Sequence, residues 1–141
     1  MNKKLSPMDK NFMDYKCIVN TLVDMIPEEW AKIYLYAEYR EGYKKVFFYY
    51  YPENKSKPIY SLDIIDIFNI DEDDFDRLEN ELYSCFTNLW LEFSKEEQES
   101  WSHLTYILDS NGKMKINYGY DDLSEISPVE KQEKWESEYI K

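Results

Sequence analysis

The sequence predicts a single α+β domain: an antiparallel sheet, built from two N-terminal strands plus a C-terminal hairpin, packed by two long helices. Three observations carry this. Residues 8–26 and 71–94 repeat apolar side chains at spacings of three and four, the mark of a helix with one buried stripe. Residues 30–39 alternate in polarity and residues 45–51 are rich in Val, Phe and Tyr, as strands are. Near the C-terminus, Asn111-Gly112 separates two further strand-like runs. With 141 residues and no internal repeat, residues 1–141 read as one domain.

Taken in order, the first helix places Phe12, Tyr15, Val19, Leu22 and Ile26 on its apolar stripe and stops at Pro27, which disfavours the helical state of the residue before it. The first strand sets Ile33, Leu35, Ala37 and Tyr39 on one side and Lys32, Tyr34, Tyr36 and Glu38 on the other, which predicts a half-buried strand. A turn containing Gly42 leads to the second strand, and Ile59-Tyr60 reads as a short third one. Ile64, Ile65 and Phe68 suit a helical turn. Asp71 is a good N-cap for the second long helix, whose acidic first turn suits the helix dipole. Its stripe is Phe75, Leu78, Leu82, Phe86, Leu89 and Phe93. Residues 101–109 and 113–120 form the hairpin, with Asn111-Gly112 expected to supply the positive φ angles of a tight turn. Ser127-Pro128 followed by Glu130 opens a short C-terminal helix from about residue 128, carrying Trp135 and Tyr139 one turn apart.

Composition narrows the function. Aromatic residues make up 18% and all hydrophobic residues 43%, which favours a folded chain. The net charge of -12 argues against binding nucleic acid or an anionic membrane, both of which require a basic footprint. Residues 1–57 hold ten Lys/Arg against eight Asp/Glu, and the remainder seven against twenty-one, so the acid is concentrated in the second part. Such asymmetry suits a directional encounter with a basic partner, although solubility alone also explains an acidic chain. Cys17 and Cys85 form neither a disulfide scaffold nor a zinc site and read as small buried thiols. Without an apolar run after Lys3 and Lys4 the N-terminus does not read as a signal peptide, so the expected location is a reducing cytoplasm.

Catalytic chemistry finds little support. His103 is the only histidine and lies mid-strand, and no phosphate-binding glycine loop or nucleophile elbow occurs. The run Asp71-Glu72-Asp73-Asp74 with Asp76 fails the calcium-loop pattern: its sixth position is Asp76 rather than Gly and its twelfth is Leu82 rather than Glu. Asp109 with Asp121 and Asp122 is a weak metal candidate. The reading is of a non-enzyme with no cofactor. Fourteen tyrosines supply possible interface anchors, and carboxylates around aromatic rings would match a cationic target such as a nuclease groove.

The segment Thr21-Leu22-Val23-Asp24-Met25-Ile26-Pro27-Glu28-Glu29-Trp30, running into Ile33-Tyr34-Leu35-Tyr36-Ala37-Glu38, resembles the YezG/EsaG-like antitoxin family of Gram-positive bacteria. So do Ile59-Tyr60-Ser61-Leu62-Asp63-Ile64, Trp101 with Leu104-Thr105, and Gly112-Lys113 leading to Tyr118-Gly119-Tyr120-Asp121-Asp122. The resemblance covers roughly residues 15–135. It implies an immunity protein that binds and neutralises the C-terminal nuclease domain of a type VII secreted toxin, and that also chaperones it. The expected partner is that basic toxin domain, met by a free monomer, with no nucleic acid or membrane involved. The family supplies no motif for the contact surface. On charge and rings, the expected toxin-binding residues are Asp63, Asp66, Asp71, Asp73, Asp74, Asp76, Asp121 and Asp122, with Tyr34 and Tyr36 as anchors. The alternative is an acidic adaptor or nucleic-acid mimic that binds other basic proteins.

Overall fold

The computed structural model describes residues 12–95 and 99–140. In chain order it contains α1 (Phe12–Met25), β1 (Trp30–Arg40), β2 (Tyr43–Pro52), β3 (Ile59–Tyr60), a 3-10 turn (Ser61–Asp63), α2 (Ile64–Phe68), α3 (Glu72–Lys95), β4 (His103–Asp109), β5 (Met114–Gly119) and α4 (Pro128–Tyr139). The strands form one antiparallel sheet in the order β3-β2-β1-β4-β5. The α+β architecture predicted from the sequence is the one observed. Residues 8–11, expected to begin the first helix, lie outside the described residues.

Both long helices cover one face of the sheet. Ile18, Leu22 and Met25 of α1 and Phe75, Leu82, Phe86 and Leu89 of α3 pack with Ile33, Leu35, Tyr50, Leu104 and Tyr106 of the strands in the main core. Each such side chain contributes roughly 1.5–3 kcal/mol on burial. The buried stripe of α1 is centred on Ile18, Leu22 and Met25, and Val19, expected within it, is only half-buried. Asp71 caps α3 as its sequence suggests, accepting the Asp73 and Asp74 N–H groups at 2.9 and 3.2 Å. The chain turns between α2 and α3 at Asn69, whose φ of 53° is left-handed.

The second face is where expectation and structure part. Because β1 is the central strand, Tyr36 and Glu38 point toward α4, and both are buried. Trp135 of α4 closes a small aromatic cluster with Tyr36, Phe47 and Tyr49, and its indole N–H donates to Thr105 Oγ1 at 2.9 Å. Lys131 reaches the Glu38 carboxylate at 2.8 Å. β1 is therefore buried on both sides along its middle, not half-buried.

Two local expectations are also corrected. In the C-terminal hairpin only Gly112 takes a positive φ (89°); Asn111 does not. The Asp109 carboxylate accepts the N–H groups of Asn111 and Lys113 at 2.9 and 3.1 Å, so a side chain organises a longer turn that needs only one left-handed residue. The two cysteines are not free thiols. Cys17 of α1 and Cys85 of α3 form a disulfide, with Cα atoms 5.8 Å apart, because the two helices lie side by side on the sheet. Among the described residues no helix is long and apolar enough to cross a membrane.

Candidate interaction surface

The densest acid in the chain follows directly from β3. Residues 58–76 contain seven carboxylates and no Lys or Arg. In the 3-10 turn and α2, exposure falls on Leu62, Asp63, Asp66 and Ile67, while Ser61 and Ile64 turn inward. At about 100° per residue these four occupy one continuous outer face, with the two carboxylates between the two apolar side chains. Asp71, Asp73, Asp74 and Asp76 continue the acidic surface on the cap and first turns of α3, all exposed. Asp73 and Asp76 also border an open groove of about 700 Å³ between α1 and α3, beside Cys17 and Thr21.

Asp121 and Asp122 lie elsewhere. β3 and β5 are opposite edges of the sheet, and these two residues follow β5. Ser102 Oγ donates to the Asp121 carbonyl at 2.6 Å, and the Asp122 carboxylate accepts the Ser124 N–H at 2.9 Å. Hydrogen bonds from Ser124 hold the Asp122 carboxyl below the usual carboxylate range. Both aspartates border a smaller cleft of about 230 Å³ with Glu38, Arg40 and Tyr120. Asp109 is at the turn end of β4 whereas Asp121 lies past the open end of the hairpin, about 20 Å of strand away. The three do not form one site. Among the described residues no group of three or more His, Cys, Asp or Glu side chains is placed to hold a metal ion.

The expected aromatic anchors are under α4. The Tyr36 hydroxyl donates to Glu38 at 2.7 Å, and its ring packs 5.3 Å from Phe47 and 6.0 Å from Trp135. Tyr34 is half-buried between Tyr51 and Tyr139. Burial works against the Glu38 charge, but hydrogen bonds from Lys131, Tyr36 and Arg40 outweigh it and keep the carboxyl below its ordinary range. Tyr36 and Glu38 thus fasten α4 to the sheet.

His103 is a structural residue of this end. Burial pushes its imidazole down against the opposing pull of Asp121 and Glu38. Its ring lies over its cross-strand partner Gly119, where a β-carbon would overlap Nε2 and Cε1. Gly119→Ala is therefore expected to cost about 1–3 kcal/mol by overpacking, seen as a lower urea midpoint. Adding His103→Ala should restore part of that loss; strictly additive effects would show that the ring is not the obstacle.

With the surface in view, the comparison with known proteins is decisive. Residues 13–141 match the family described as Immunity protein YezG-like. The chain belongs to that family. It is 37% identical over 123 residues to Immunity protein YezG of Bacillus spizizenii, covering 86% of this chain and 76% of that protein. Immunity protein YezG of Bacillus subtilis is 37% identical over 124 residues, 86% and 82% of the two chains. The type VII secretion system protein EsaG of Staphylococcus aureus is 32% identical over 108 residues, 77% and 66%. In this member of the YezG-like family the ten expected contact residues fall into three places: six aspartates beside β3, two beyond β5, and two tyrosines beneath α4. Exposed apolar residues such as Leu62 and Ile67 were absent from the expectation. Helical spacing between them and the neighbouring aspartates was the available signal.

Proposed function

We propose that this immunity-family chain binds and neutralises the basic C-terminal nuclease domain of a toxin exported by the type VII secretion system, and accompanies that domain before export. The observation that carries the reading is the exposed seven-carboxylate stretch of residues 58–76 in a chain of the immunity family. A nuclease must present cationic groups to phosphates, so fixed carboxylates compete for the same groups. Neutralisation by occupancy needs no bond-making, and on this reading the chain acts as a monomeric inhibitor without catalysis or cofactor.

Electrostatics would act mainly on encounter. Asp71→Lys, Asp73→Lys and Asp74→Lys together are expected to slow association with the toxin domain by about tenfold or more at low salt. The fold should survive, since all three residues are exposed, although loss of the Asp71 cap costs about 1 kcal/mol. Co-expression with the toxin should then show weakened protection. Protection equal to wild type would place the contact elsewhere. A complex that forms with many basic proteins and dissolves at moderate salt would favour the adaptor or nucleic-acid-mimic alternative.

A further inference from the structure

We propose that residues 120–129, the connection from β5 together with the start of α4, form a docking ridge for a basic protein domain, with Tyr120, Ile126 and Val129 as its apolar contacts. These side chains are 48%, 41% and 65% exposed. Seven large hydrophobic residues stand out among the described residues, and three of them fall in this one short stretch. Scattered exposed aliphatics need no explanation; a local concentration does.

The segment holds its shape without burying them. Ser102 Oγ fixes the Asp121 carbonyl, the Ile126 N–H donates to the Leu123 carbonyl at 3.1 Å, and the Asp122 side chain ties down Ser124. Ser127 caps α4 through the Glu130 N–H at 3.2 Å, and Lys131 Nζ reaches back to the Leu123 carbonyl at 3.4 Å. A loop whose backbone is this well satisfied presents its apolar residues in a fixed arrangement, which lowers the ordering cost of binding.

Charge selects the occupant. From Ile116 to Glu130 the chain carries four carboxylates, Asp121, Asp122, Glu125 and Glu130, and no Lys or Arg. A second copy of this chain would set the same carboxylates against each other across a two-fold axis. The complementary partner is a polypeptide with cationic side chains around an apolar patch. This rests on the reading that the chain neutralises a basic toxin domain, and it adds a contact at the sheet edge opposite the acid of residues 58–76.

The test compares wild type with Tyr120→Ser/Ile126→Ser/Val129→Ser in binding the C-terminal nuclease domain of a type VII secreted toxin from the same bacterium, purified with its catalytic residue replaced. Affinity is expected to fall by about tenfold or more, chiefly through faster dissociation, with an unchanged thermal midpoint for the free protein. If the variant does not fold, hydrogen exchange on the wild-type complex decides: amides of residues 120–129 should gain protection. Wild-type affinity in a folded variant, or no added protection, overturns the ridge while leaving the toxin reading intact. Should wild type itself fail to bind that domain or protect against it, the toxin reading falls and the ridge with it. A concentration-dependent dimer abolished by the three substitutions would instead assign the ridge to self-association and overturn the proposal.

Discussion

Trp135→Ala is expected to lower folding stability by about 3–5 kcal/mol and to free α4 from the sheet. The indole is 5% exposed, and its ring lies 5.3 Å from Phe47 and 6.0 Å from Tyr36 and Tyr49. Truncation leaves an empty space among three rings and removes the donor to Thr105 Oγ1. The remaining ties of α4 are the Tyr139 ring against Tyr34 and polar bonds: Lys131 to Glu38, Gln132 to the Tyr49 hydroxyl, and that hydroxyl to Glu136. A helix of 12 residues does not persist in water without a packed face, so these ties should not hold it alone. Urea denaturation gives the stability change, and hydrogen exchange of the α4 amides reports the release. An unshifted midpoint with α4 still protected would mean that the remaining ties suffice.

Reduction of the Cys17–Cys85 disulfide should have a comparable effect. The bond joins residues 68 apart in sequence, and chain-entropy reasoning assigns a loop of that length about 4 kcal/mol, to be read as an upper range. Cys85 is fully buried, and Thr21 Oγ1 lies 3.8 Å from its sulfur. Cys17 is only half-buried and borders the open groove between α1 and α3, so a small thiol reductant has a route to the bond. Urea curves with and without dithiothreitol, paired with thiol titration of the denatured protein, measure the difference. Coincident curves with two titratable thiols in the untreated protein would show that the pair is not joined in solution. The oxidised and reduced forms should keep the same fold, since the helices already meet through Ile18, Leu22, Leu82 and Phe86.

Periodicity made the secondary structure legible because it records burial on one side of an element. The stripe from Phe75 to Phe93 and the alternation from Ile33 to Tyr39 each face the main core, and each was placed correctly from spacing alone. What spacing does not carry is a second burial event. Tyr36 alternates as a solvent-facing residue should, yet α4 arrives from about a hundred positions later and covers it. Trp135 and Tyr139 announced an apolar side on that helix without saying which surface would receive it. Cys17 and Cys85 were legible as helical residues, but their pairing depends on two helices becoming neighbours. The acid beside β3 could be read directly, since carboxylates without partners in sequence mostly stay in water. Its separation from Asp121 and Asp122 could not, because strand order decides which loops share an edge.

The roofing of the sheet over β1 and β2 by helices on both sides has a consequence for how this molecule can meet another. There the ring-rich middle of the sheet is already covered by the chain's own helices. What the described residues offer outward lies at the edges: the start of α3, the groove between α1 and α3, and the bend between hairpin and final helix. Any partner must therefore approach the sheet's edges and the outer sides of its helices, not the faces of its central strands.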